Sequence, residues 1–279
     1  MTILIALSSA VCWSVFDLKR KQLVEHIPSL QLSWFLALAV LPLYLLLNAL
    51  SWPAWPQSSY WYPALGSLLV STLAAVCFIE ALRVGQIARL VPLLALTPVI
   101  AALFGFFWLQ QSLAPREWLA GAAVVVLLFL LNGGGQDFQP GPGATLMLLV
   151  ALGWGSGTVF DKLALQSASP LLHALLQTSG MVLLLGVLIV LRRLPLALKA
   201  LRQQRAALLL AALFFCAAVS LQLLALRELH PGIIEALKRG LGIVGALLWG
   251  WLFFAERIGR QQMVLAALLV VAIVVLVWP

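Results

Sequence analysis

The chain has 279 residues, of which 63% are hydrophobic and only 9% charged, with a mean hydropathy of +1.08. A soluble domain carries about 25% charged residues, so the composition excludes that class and points to a polytopic membrane protein. The net charge of +8 would suit a nucleic-acid binder, but the basic residues lie between apolar runs instead of forming a stripe, which argues against one.

A membrane-spanning helix needs about 20 apolar residues, and dividing the sequence at charges, prolines and glycines predicts ten spans. They lie at 2–18, 29–49, 62–82, 88–109, 116–132, 143–161, 170–191, 205–227, 232–255 and 261–278. The opening "MTILIALSSAVCWSVF" lacks the basic start of a signal peptide and is expected to be a retained first span. Cys12, Cys77 and Cys216 stand singly in apolar segments, so neither a disulfide framework nor a zinc site is expected. Pro92 and Pro98 interrupt the fourth span and read as either a hinge or a static kink.

Between the fifth and sixth spans, "NGGGQDFQPGPG" cannot continue a helix. It divides the chain into a first five-helix unit at 1–134, a linker at 135–142 and a second unit at 143–279. The halves repeat one another. Trp13 precedes Lys21 in "WSVFDLKRK" by the interval at which Trp154 precedes Lys162 in "WGSGTVFDK", and "ALR" at Ala81 recurs at Ala225. Because each unit has an odd number of spans, the second copy must lie upside down. The predicted fold class is an all-α membrane protein with ten transmembrane helices as two inverted five-helix repeats, the architecture of many secondary transporters.

These features, together with "ALRVGQIARLVPLLALTPVIAALFGFFWLQQSLAPREWLAG" and "WGWLFFAERIGRQQ", resemble the drug/metabolite transporter superfamily, specifically its EamA-type ten-helix members. The resemblance covers essentially the whole chain. It implies a transporter and not an enzyme, in a cell membrane, the bacterial inner membrane, with a small-molecule substrate and the lipid bilayer as partners. A homodimer is left open. The chain departs from the family where Leu109-Gln110-Gln111 lacks the acid that Glu256 keeps in the second copy. Sugar-phosphate translocators of the same superfamily carry an adjacent Lys-Arg pair in the ninth helix that holds the substrate's phosphate, and Lys238-Arg239 matches it in kind and approximate place.

The Lys and Arg count and the resemblance disagree on orientation. Most loop cations fall on the side of Lys19, Arg192, Lys199 and Arg260, which places both termini outside the cytoplasm. The family more often has both inside.

Glu235, Lys238 and Arg239 stand at i, i+3 and i+4, on one helical face and within pairing distance. Two readings stand: the cations snorkel to the interface, or they face a cavity between the repeats, as intramembrane ionisable groups usually do. On the second reading the Arg fork and the Lys point charge suit a phosphate or carboxylate, and Glu235 holds the pair when the site is empty. Trp13 and Trp154, equivalent in the two halves, are candidate substrate-binding walls or cation platforms, or simply packing residues. Glu80 and Glu235 are the candidates to carry a coupling proton.

Asp17 and Asp161 read as solvated end pairs with Lys21 and Lys162. His26, His173 and His230 read as loop or helix-end residues, without metal-ligand spacing. "GLGIVG" has no strand before it, so it reads as packing and not as a nucleotide fingerprint. Gly242, Ala246 and Gly250, like Gly153 and Gly157, are expected to let helices approach closely. No cofactor or metal is expected. The function expected is secondary transport of a small polar metabolite, anionic or zwitterionic, by alternating access. The alternatives are a flippase for a lipid-linked substrate or a membrane-embedded enzyme, although no catalytic constellation is present.

Overall fold

The structure is a computed structural model that describes residues 1–84, 91–131, 141–254 and 259–278. No strand occurs among them, and ten long helices do: α1 Thr2–Val24, α2 Ser29–Ser51, α3 Trp61–Val84, α4 Thr97–Leu109, α5 Pro115–Leu131, α6 Pro142–Ala164, α7 Pro170–Leu191, α8 Arg205–Leu226, α9 Pro231–Phe254 and α10 Arg260–Val277. Six stretches, in α1, α2, α3, α6, α7 and α8, are long and apolar enough to cross a membrane. The molecule is an all-α, multi-pass membrane protein.

Local chemistry sets the helix starts. Prolines open α5, α6, α7 and α9, where a missing N–H costs nothing. Ser169 caps α7 by accepting the Leu172 N–H at 3.2 Å, and Glu117 reaches back to the Ala114 N–H at 2.7 Å ahead of α5. Trp52 and Gln110 end α2 and α4 in the left-handed conformation, with φ of 41° and 53°.

Two expectations about the spans are corrected. The fourth span is not one α-helix over its described part: 91–96 is a 3-10 turn and α4 begins only at Thr97. Pro92 and Pro98 remove ladder N–H groups and crowd the preceding turn, so the tighter winding replaces α-helix there. In the first half, α1 continues to Val24, which places Asp17 inside the helix, paired with Arg20 at 3.0 Å on a half-exposed face. The expected joint at 132–140 lies outside the described residues, as do Arg89, Glu256 and Arg257.

The packing repeats when each helix is replaced by the one five places along. α1 packs on α8 and α9, while α6 packs on α3 and α4; α2 meets α8 as α7 meets α3. The pairs α2 with α7, α4 with α9 and α5 with α10 map onto themselves. Hydrogen bonds sort the connections into two ends. Thr2 bonds Glu228, the Gln57 N–H reaches Ser167 O at 3.3 Å, and Arg116 reaches Trp278 O at 2.6 Å, all at one end. At the other, Gln31 donates to Pro195 O at 2.8 Å.

The glycines of "GWGSG" let α6 sit between α3 and α4. A Cβ on Gly153 would stand 2.9 Å from Val70 O, and one on Gly155 would stand 2.8 Å from Ile100 Cγ2 and 3.0 Å from Thr97 O. Gly242 is different, because a Cβ there meets nothing within 4 Å, so the expected close approach does not occur at that residue. Gly155→Leu is expected to lower stability by about 1–3 kcal/mol through overpacking, seen as an earlier thermal unfolding midpoint in detergent. Gly121→Leu, on α5 where the added atom finds open space, is the matched control and is expected to leave the midpoint in place.

Candidate functional site

The charged triad turns inward. Glu235 is fully buried, and the side chains of Lys238 and Arg239 are 19% and 21% exposed. One turn of α9 places the Lys238 ammonium against Glu235 Oε1, and the Arg239 Nε lies 3.8 Å from Oε2. Thr158 on α6 donates to the same Oε1 at 2.8 Å. Two helices thus converge on one carboxylate, because α9 crosses α6.

The two tryptophans complete the arrangement. The Lys238 ammonium lies 5.6 Å from the centre of the Trp13 ring, and the Arg239 guanidinium lies 5.0 Å from that of Trp154, both within cation–π range. Neighbouring residues on a helix point about 100° apart, so an adjacent Lys-Arg pair can reach one indole on each side. Trp13 is itself held by donating to Gln222 Oε1 at 2.8 Å and by the edges of Phe16 and Phe215. Trp154 packs on Phe78. All five sequence-predicted binding residues therefore meet in one place, midway along α1 and α6, and the cations do not snorkel outward.

The site is left partly unpaired. One negative and two positive groups give a net excess of one positive charge. Among the described residues, Glu235 Oε2 and Arg239 Nε are buried polar atoms without a hydrogen-bond partner, which leaves directional bonding capacity between them. A cavity of about 10 Å³, room for roughly one water, lies beside Lys238 and is lined by Ser9 and Gln222 among others. Glu80 stands apart near the far end of α3, half-buried and engaged in an interaction of its own; the side chain of Arg83 lies outside the described residues.

Two roles differ from expectation. Asp161 is no solvated end pair, since it accepts from Ser67 and lies 3.1 Å from His173 Nε2. Lys162 is buried and donates to Leu229 O at 2.7 Å, tying the end of α6 to the turn before α9. His173 lies in the first turn of α7, a helix-end place as expected, and is fully buried. His230 fits its expected place: it accepts the Gly232 N–H at 3.1 Å through Nδ1 and faces Gln111 O through Nε2 at 3.3 Å. Burial pushes its imidazole below the usual range. Sequence reasoning missed Thr158, Gln222 and His173. Each is a polar residue inside an apolar run, and Thr158 falls one turn after Trp154.

The fold and site define a polytopic membrane protein with a charged, aromatic-walled centre. The EamA-like transporter family pattern matches residues 1–133 and again 141–278. The chain belongs to the EamA-like transporter family, within the drug/metabolite transporter type that its motifs resemble. A solved crystal structure superposes with a TM-score of 0.80 over 99% of this chain and 96% of its own, at 16% sequence identity, a likeness of fold alone. No curated protein matches the sequence significantly.

Replacing one member of the triad strands the others. Glu235→Gln leaves two cations uncompensated in a buried place and is expected to cost about 3–5 kcal/mol of stability, measured by chemical or thermal unfolding in detergent. Thr158→Val removes one hydrogen bond and is expected to cost about 1 kcal/mol.

Proposed function

We propose that this chain is a secondary transporter of a small polar metabolite bearing an anionic group, working by alternating access. Ten transmembrane helices would form two inverted repeats, 1–134 and 143–279, joined by 135–142, in a bacterial inner membrane. The match of the family pattern to each half and the exchange of helix contacts between halves support that architecture.

The observation that carries the substrate class is the seating of Lys238 and Arg239 on Trp13 and Trp154 with Glu235 between them. Glu235 occupies the place of the anion when no substrate is bound. An incoming phosphate or carboxylate replaces it as the partner of Arg239, whose planar fork takes two oxygens at once. The net positive charge makes that exchange favourable for an anion and unfavourable for an amine. The indoles keep the cations from water and fix their spacing. Glu235, once released, is free to take a proton, and Glu80 is the second candidate for coupling.

A flippase would need an apolar slot beside the basic pair. The apolar groove between Leu93, Leu96, Val125 and Phe129 shares no lining residue with that pair. The Lys and Arg distribution supports both termini facing away from the cytoplasm.

Thermal-shift screening of purified protein with phosphate esters, carboxylates, amino acids and amines is expected to show stabilisation by anionic ligands; stabilisation by amines alone would contradict this reading. With the ligand so found, Arg239→Ala is expected to lower uptake by proteoliposomes at least roughly tenfold, the loss of about 1.4 kcal/mol of binding, while the variant elutes as folded protein. Unchanged uptake would remove the assignment. A reporter that fluoresces only in the cytoplasm, fused after residue 279, is expected to stay dark.

A further inference from the structure

A second buried polar cluster lies at the end of the bundle that holds the loop between α6 and α7. His173 on α7 places Nδ1 3.0 Å from the Tyr60 hydroxyl and Nε2 3.1 Å from Asp161 Oδ1. Ser67 on α3 donates to that same oxygen. Tyr60 and His173 are both fully buried and stack edge to face. Beside them, Gln177 donates to Ala64 O at 2.8 Å and Ser59 meets Ser167 at 2.7 Å. The seam joins α3 of the first half to α6 and α7 of the second.

Its protons can be counted. Neutral imidazole has one ring N–H and one acceptor nitrogen. With the hydrogen on Nε2 donated to Asp161, Nδ1 accepts the Tyr60 O–H, and Ser67 completes the carboxylate. Every donor then has an acceptor. A second ring proton would stand on Nδ1 facing the Tyr60 oxygen, and the displaced phenol hydrogen would need a new acceptor where water does not reach. A proton on Asp161 instead would cancel the charge that both donors bind. In the first case the His173–Asp161 bond becomes charge-assisted while the Tyr60 link between α3 and α7 loses its acceptor; in the second, Asp161 loses its hold on both donors.

The other charged groups at this end point elsewhere. Lys162, next to Asp161, is turned to Leu229 O; Glu228 bonds Thr2, and Arg227 is exposed. The side chains that α2 and α8 bring to α7 near here, Asn48 and Leu226 among them, carry no charge. His173 is the sole titratable residue of α7.

Among the described residues, the matching positions at the opposite end lack this chemistry. α2 and α7 begin 141 residues apart, at Ser29 and Pro170, the interval that also separates Trp13 from Trp154. On it, His173 corresponds to Leu32 and Asp161 to Arg20. Leu32 is buried with Leu23, Ile27, Leu208 and Ala211, an apolar seal that binds no proton, and Arg20 is half-exposed beside Asp17.

We propose that His173 and Asp161 form a proton-binding site that latches one end of the bundle: neutral His173 holds α3 against α6 and α7, and proton uptake releases it. Because the matching contact around Leu32 is apolar, a proton releases this contact and not its counterpart, which biases the cycle in one direction. That consequence rests on the transport reading; the proton site does not.

Hydrogen exchange of the purified protein without ligand tests it separately from uptake. Between about pH 7.5 and about pH 5, segments 55–67 and 161–176 are expected to lose protection roughly tenfold after correction for intrinsic rates. Segment 23–36 is expected to keep its protection. In His173→Gln the pH dependence is expected to vanish. Tyr60→Phe, which keeps the ring and removes only the hydroxyl that protonation would strand, is expected to shrink the pH-dependent loss of protection and serves if the first variant does not fold. Protection that is equal at both pH values overturns the proposal. So does a pH dependence that persists unchanged in the variants, which would belong to His230 at the same end.

Discussion

Everything at the centre of this molecule follows from burying one carboxylate between two cations. Placing even one such group at mid-membrane costs about 2.5–3.5 kcal/mol on insertion scales, and desolvation can exceed the attraction between partners. Glu235 meets that constraint with three neighbours: Lys238 and Arg239 from its own helix and the Thr158 hydroxyl from α6. The tryptophans then supply a surface on which the cations can rest without full hydration. Removing water from the site strengthens every charge interaction in it.

The two halves share a shape more than a chemistry. Helix contacts exchange between them, and the tryptophans occupy matching positions, yet both cations and the acid come from α9 alone. In the first half the corresponding stretch is wound as a 3-10 turn with Val91, Pro92 and Leu93. Backbone packing is repeated because apolar helices with small residues at their crossings fit in only a few ways. Charged side chains are under no such constraint, since one copy is enough to fill a central site.

Much of this was legible in the amino-acid order. Apolar run length gave the helices, the Trp-to-Lys spacing gave the repeat, and the i, i+3, i+4 pattern gave the triad. That Lys238 and Arg239 each rest on an indole was not legible there, because the side of α9 they face depends on crossing geometry that no local pattern encodes. The Asp161 and His173 pairing was out of reach for the same reason: they are 12 positions apart, and the turn between them decides whether they meet. The start of α4 was misjudged because hydropathy registers apolar length and is blind to how tightly the backbone winds.

That tighter winding has a consequence for fit to the bilayer. An α-helix rises about 1.5 Å per residue and a 3-10 helix about 2.0 Å. The thirteen residues of α4 and the six of the preceding turn therefore reach about 32 Å, close to the hydrocarbon thickness of about 30 Å. Wound entirely as α-helix, the same nineteen residues would reach about 3 Å less. Pro92 and Pro98 thus lengthen a brief segment without adding a residue to it.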